Sequence, residues 1–194
     1  MASDEYGEEQ FARVAHGLHS VRLDQEFLSL WNEFVSLSPS AFYDTLALDL
    51  PGLRIDFWIY PTGVGGATVS LDEPQNELMF SEIAFDFRGK KIDLKEVRVN
   101  PRFQNNGIFK VFMRNMLELS EMLEMGALEF HATEVGAYAF ARMGGLPSKE
   151  GWLELRDKIR KRAEDLPLTE AQRIQIMTLL ESDDPKTLWK IVDL

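Results

Sequence analysis

Asn100–Phe109, "NPRFQNNGIF", holds the residues whose types and spacing most directly suggest chemistry. An Asn-Gly pair usually joins two strands in a tight hairpin. Here an alternating run, "IDLKEVRV" (Ile92–Val99), precedes it, and Phe109, Phe112, Met113, Met116, Leu117, Ser120 and Leu123 follow at helical spacing. A loop between a strand and a helix start presents unpaired N–H groups at the positive end of the helix dipole, which suits an anion. Gly107 permits close approach of the backbone and a positive φ, while Gln104, Asn105 and Asn106 add uncharged polar groups. The chemistry this serves is holding a phosphate or diphosphate. An ordinary strand-to-helix connection can share the same spacing.

The elements needed to position this loop can be read on either side of it. Val21–Leu37 carries an amphipathic helix face, Leu23, Phe27, Leu30, Trp31 and Phe34, ended by Ser38-Pro39-Ser40. Leu53–Tyr60 and "ATVSL" read as strands joined by the turn "PTGVGG", and Glu77–Phe87 as a third, with a parity change near Ser81-Glu82. In Ile92–Val99 the apolar set moves from Ile92 and Leu94 to Val97 and Val99, so a bulge is expected near Lys95-Glu96. Gly126 is the expected glycine closing the following helix, "ALEFHA" a short buried strand, and Thr133 a cap for "EVGAYAFARM". The tail shows helical signals only. They are Trp152, Leu155 and Ile159, then a Thr169-x-x-Gln172 capping box with Ile174, Met177 and Leu180, then Asp184-Pro185 opening a helix with Leu188, Trp189 and Val192.

These signals predict an α+β protein with a mixed, mainly antiparallel sheet flanked by helices and a C-terminal helical extension. A flexible segment is expected over 1–20, the main domain over 21–146, and an extension packed on it over 147–194. A chain of 194 residues that is 45% hydrophobic can bury one substantial core. A net charge of −11 argues against a nucleic-acid or anionic-membrane surface. Without cysteine there is no thiolate nucleophile, disulfide or thiolate metal site. The acidic start lacks the pattern of a signal peptide, and no apolar run is long enough for a membrane span, so a cytoplasmic protein is expected.

The stretch "VRVNPRFQNNGIFKVFMRNMLELSEMLEMGALEFHATEVGAYAFARMGG" resembles the core of the GNAT superfamily of N-acetyltransferases. The likeness lies in a strand ending V-x-P-like, a Q-x-x-G-x-x loop, a helix, a strand and a short helix ending in an aromatic-glycine run. It implies that Gln104, Asn105, Asn106, Gly107, Ile108 and Phe109 hold the diphosphate of acetyl-CoA. It also implies that Val97 and Val99, on a strand splayed by a bulge, hold the pantetheine arm. Three departures accompany it: Phe109 stands where the family has Gly or Ala, and Phe140 where it often has an acidic tyrosine. The tail is helical where the family has two closing strands. The run "GAYAFARMGG" with such a tail is also similar to GNAT-like modules of phage head or toxin proteins.

Acetyl transfer to an amine requires a base to deprotonate it and a donor for the departing thiolate. With the resemblance in place, Asp93, Glu96 and His131 are the base candidates and Tyr138 or a water the acid. Each also reads plainly as an exposed acid, a strand-end histidine or a packed tyrosine. The expected activity is acyl-CoA-dependent N-acylation of a small cationic amine or a protein lysine. The alternative is a non-catalytic GNAT-like module that docks a partner, or a second copy, through its helical tail. No metal site is expected: His16 and His19 lack companion ligands, "PTGVGG" reads as a hairpin, and "RDKIRKR" (Arg156–Arg162) as a solvated helix face.

Overall fold

The structure is a computed structural model that describes residues 5–20, 22–73, 76–104, 106–130, 141 and 144–192. The chain divides into two units, Met1–His131 and Ala132–Leu194.

The first unit is built on six strands in the order β1 to β6: Leu18–Ser20, Leu53–Ile59, Val64–Glu73, Asn76–Asp86, Lys91–Val99 and Ala127–Phe130. β1 with β2 and β5 with β6 are parallel pairs, and the others are antiparallel. The sheet is therefore mixed and mainly antiparallel, flanked by helices, as the sequence predicts. Helices α1 (Glu8–Ala12), α2 (Gln25–Leu30), α3 (Pro39–Ala47) and α4 (Ile108–Met122) complete the unit. Strand alternation places Ile55, Phe57, Val69, Ile83, Phe85, Ile92 and Leu94 on one buried face. Against it stand Trp31 and Phe42, edge-on to Phe57 with ring centroids 5.2 and 5.3 Å away. The Trp31 indole N–H donates to the Leu37 carbonyl (2.8 Å), so its one polar atom is satisfied in the core.

Several local expectations change. Residues 5–20, expected to be flexible, carry α1 and β1, because Phe11, Val14 and Leu18 are buried and Phe11 packs edge-on to Trp31 at 4.9 Å. The single helix expected over Val21–Leu37 is α2 followed by a π-helical turn, Trp31–Val35, closed by Ser36 at φ 58°. Ser38 then starts a helix: its hydroxyl accepts the Ala41 N–H (3.0 Å), and Pro39 occupies the first turn of α3. The parity change in β4 falls at Leu78, since Leu71 pairs with Met79 and Asp72 with Glu77. β6 is half-buried, and Thr133 lies outside the described residues.

Gly126 does not close α4. Glu124 takes the left-handed conformation (φ 53°), its N–H bonds the Glu121 carbonyl, and the Met125 N–H bonds the Ser120 carbonyl (2.8 Å). That pair of bonds is a Schellman motif with glutamate in the glycine position. Gly126 instead donates to the Lys90 carbonyl (2.7 Å) and leads into β6.

In the second unit, α5 (Lys149–Asp165), α6 (Glu170–Leu179) and α7 (Thr187–Val192) surround Ala141, Trp152, Ala163, Ile176, Leu180 and Leu188. The Thr169–Gln172 capping box is present. On α6 Ile176 is buried, as is Leu180 at its C-cap one turn on, while Ile174 is 58% exposed. Helix α7 begins later than expected, at Thr187, with Asp184 accepting the Lys186 N–H in the turn before it. Arg160 pairs with Asp157 and Arg156 with Asp183, so the basic run of α5 is a largely solvated face.

Two stability predictions follow from these contacts. The buried Asn115 amide of α4 donates to the Leu46 and Leu48 carbonyls at the end of α3 (3.0 and 2.7 Å). Asn115→Leu strands both acceptors and is expected to cost roughly 2–3 kcal/mol in urea unfolding. Glu124→Gly removes the left-handed strain and is expected to raise stability by about 1 kcal/mol, read as a higher melting temperature.

Candidate functional site

The site grows from one extra residue in β5. Ile83 pairs with Leu94 but Glu82 pairs with Glu96, which leaves Lys95 without an opposite number. The expected bulge is therefore at Lys95. Its effect is a change of face: Val97 and Val99 join Ile92 and Leu94 on the helix-covered side, opposite the buried Ser81 and Met79. Asp93 and Glu96, three residues apart, come to lie on the same opposite face, with Lys91 and Arg98. The Ser81 hydroxyl donates to the Glu96 carbonyl (2.9 Å), pinning the bulge from β4.

The backbone of β5 beyond the bulge faces away from β4 at two positions. Asn100 donates its N–H to the Leu78 carbonyl (2.9 Å), so alternation turns the backbone groups of Val97 and Val99 to the β6 side of the strand. The described β5–β6 register runs from Lys91↔Ala127 to Leu94↔Phe130, the last described residue of β6.

Asn100 organises the turn that follows. Its side chain donates to the Glu77 carbonyl (3.1 Å) and accepts the Arg102 N–H (3.1 Å), while its carbonyl accepts from Phe103 (2.8 Å) and Gln104 (3.2 Å). The Gln104 amide reaches back to the Val99 carbonyl (3.3 Å), so this side chain ties the loop to the strand end. Gly107 then caps α4 at φ 79°, and a Cβ there would meet nothing within 4 Å. The first-turn N–H groups of Ile108, Phe109 and Lys110 emerge beside it. No acidic residue lies in that first turn, and Arg102 and Lys110 are exposed next to the loop. This local set of donors and cations fits a phosphate in a chain of net charge −11.

Sequence reasoning missed the roles of Asn100, Arg102 and Lys110. The Asn-Pro step was the available signal for Asn100. Phe109 is half-buried in the first turn of α4, and Asn105, His131, Tyr138 and Phe140 lie outside the described residues.

The carboxylates differ in surroundings. Asp93 pairs with Lys95 through one oxygen, while its other oxygen is buried without a hydrogen-bond partner among the described residues; its side chain is 15% exposed. Glu96 pairs with Arg98 (2.8 Å), is half-exposed, and sits where Arg98 also covers the Phe80 ring (4.8 Å). Lys91 pairs with Glu129, and that hydrogen bond, opposed by burial and helped by Coulombic attraction, holds the Lys91 pKa above its usual value. His16 lies edge-on to Tyr43, and His19 is exposed in β1. Among the described residues no helix is long and apolar enough to cross a membrane.

No protein-family model matches the chain, and no curated protein matches it in sequence. Among solved structures, the crystal structure of nourseothricin acetyltransferase is similar over 43% of this chain and 49% of that one, at 16% identity and a TM-score of 0.33. The similar part spans less than half of either chain.

Proposed function

We propose that the first unit binds an acyl-CoA, with acetyl-CoA as the expected donor, and passes its acyl group to an amine. One observation carries this reading. A bulged strand turns the Val97 and Val99 backbone groups away from β4 and runs straight into a left-handed Gly107 that opens a 15-residue helix. Strand amides suit the amide-rich pantetheine arm and can polarise a thioester carbonyl. The Gly107 loop and the α4 first turn suit the diphosphate, with Arg102 and Lys110 neutralising charge.

Acetyl-CoA supplies the activated acyl group. In the proposed transfer the amine nitrogen bonds to the thioester carbon, the carbon–sulfur bond breaks, and the thiolate leaves to be protonated. The proposed transfer is direct, from thioester to amine, and the chain has no cysteine to form a thioester intermediate. Asp93 is the foremost base, since one of its oxygens has no competing partner among the described residues. Glu96 and His131 are the alternatives, and Tyr138 or a water protonates the thiolate. The acidic chain favours a cationic acceptor. A second reading, a GNAT-like module that binds without catalysis, is favoured by the bulk of Phe109 in the α4 first turn and by the Glu96–Arg98 pair.

Acetyl-CoA is expected to raise the melting temperature of the wild type, since ligand at 100 times its Kd stabilises by about 2.7 kcal/mol. Gly107→Glu adds bulk and negative charge beside the diphosphate and should abolish that shift. Gly107→Asn, which tolerates the left-handed backbone, should keep the fold and most of the shift. An unchanged wild-type melt in millimolar acetyl-CoA would remove the acyl-CoA reading.

For catalysis, one of Asp93→Asn, Glu96→Gln or His131→Ala should lose about 10²–10⁴-fold in kcat/KM while still binding acetyl-CoA. Raising the pH should partly restore that variant, because the acceptor amine then loses its proton unaided. Thiol release that stays at background across a panel of amines, with acetyl-CoA still bound, would select the non-catalytic reading.

A further inference from the structure

The opposite corner of the first unit carries a second candidate site. The register Val99↔Met79, Met79↔Leu71 and Leu71↔Leu53 sets the Gly107 end of the sheet beside the start of β2. The end of β2, Trp58–Tyr60, therefore lies at the far end of the sheet. There the described β1 register ends at Ser20↔Phe57, and β2 runs to Ile59. Asp24 caps α2 by accepting the Phe27 N–H (3.0 Å). An open-sided pocket of about 380 Å³ separates the start of α2 from the end of β2.

Its lining is aromatic and acidic. Phe27 is a buried wall, Tyr60 is 55% exposed, and Pro61 closes one side. The Trp58 indole lies close over Gly66, where a Cβ would stand 2.4 Å from the ring. Ile55 donates its N–H to Gly17 and Tyr60 donates its N–H to Val64, so alternation turns the N–H and C=O of Ile59 to the β1 side, which is the pocket side. Arg22 is balanced by Asp24 (2.7 Å), which leaves the Glu26 carboxylate as the net charge of the rim.

We propose that this pocket binds a small organic cation with a flat apolar body, an aromatic ammonium compound. Ring faces attract a cation, and the Glu26 carboxylate adds a counter-charge. The volume is near the lower end of ligand pockets, which suits one ring and an ammonium group. A bound ligand would join α2 to the β2 edge and stabilise the first unit by mass action. The site is independent of acyl-CoA binding.

The test uses the full chain and benzyltrimethylammonium as probe, followed by amide NMR shifts and melting temperature. The expected result is a saturable shift confined to residues 22–30 and 58–61. It should be about tenfold weaker in Glu26→Gln and in Tyr60→Ala, both exposed positions whose variants should melt like wild type. Benzenesulfonate, of opposite charge, should leave the same amides unmoved. No saturable shift with the cation, equal binding of the sulfonate, or unchanged binding in Glu26→Gln would each overturn the proposal.

Discussion

A single unpaired residue, Lys95, is the constraint from which the candidate site derives. A strand alternates with period two, so the chain cannot keep apolar side chains on the core face after Leu94 and also seat Val97 there unless one residue drops out of register. Once Lys95 does so, two consequences arrive together. Asp93 and Glu96 share the face opposite Ile92 and Leu94, and Val97 and Val99 return to the face of Ile92 and Leu94. The buried Ser81 hydroxyl, bonded to the Glu96 carbonyl, makes the bulge a feature held from β4 as well as from within β5.

The loop beyond the bulge is useful only if α4 is held still, and two kinds of contact do that. Phe112, Met116 and Leu119 bury the inner face of the helix, which fixes its distance from the sheet without fixing its position along its own axis. Asn115 adds the direction that apolar packing lacks, by donating to two carbonyls at the end of α3 while its oxygen accepts from Arg114 (2.9 and 3.1 Å). α3 is itself seated by Phe42 among Trp31 and Phe57. The position of Gly107 is thus tied, through α4 and α3, to the aromatic core.

Two corners of the sheet offer contrasting environments. At β5 the strand bulges and leads into a polar loop flanked by Arg102 and Lys110, an environment for anions. At the end of β2 aromatic rings stand beside Glu26, an environment for cations. In each case the side chains beside the corner decide the charge of the ligand it suits.

Residue types alone carry the features that depend on neighbours close along the chain. The parity switch from Ile92 and Leu94 to Val97 and Val99 announced the bulge, Thr169 with Gln172 announced a cap, and Gln104–Gly107 announced a polar strand-to-helix loop. Each is a periodicity or a hydrogen bond within a few residues, so the residue types carry it. Tertiary structure decided what depends on distant partners. Phe11 and Leu18 became core because Trp31 and β2 received them, and Glu124 took the closing position of α4 because Gly126 was drawn to Lys90. Ile176 displaced Ile174 as the buried residue of α6 because the helix turned its face to Trp152 and Leu188. Burial is a property of what packs opposite a residue, and only the folded chain brings those partners together.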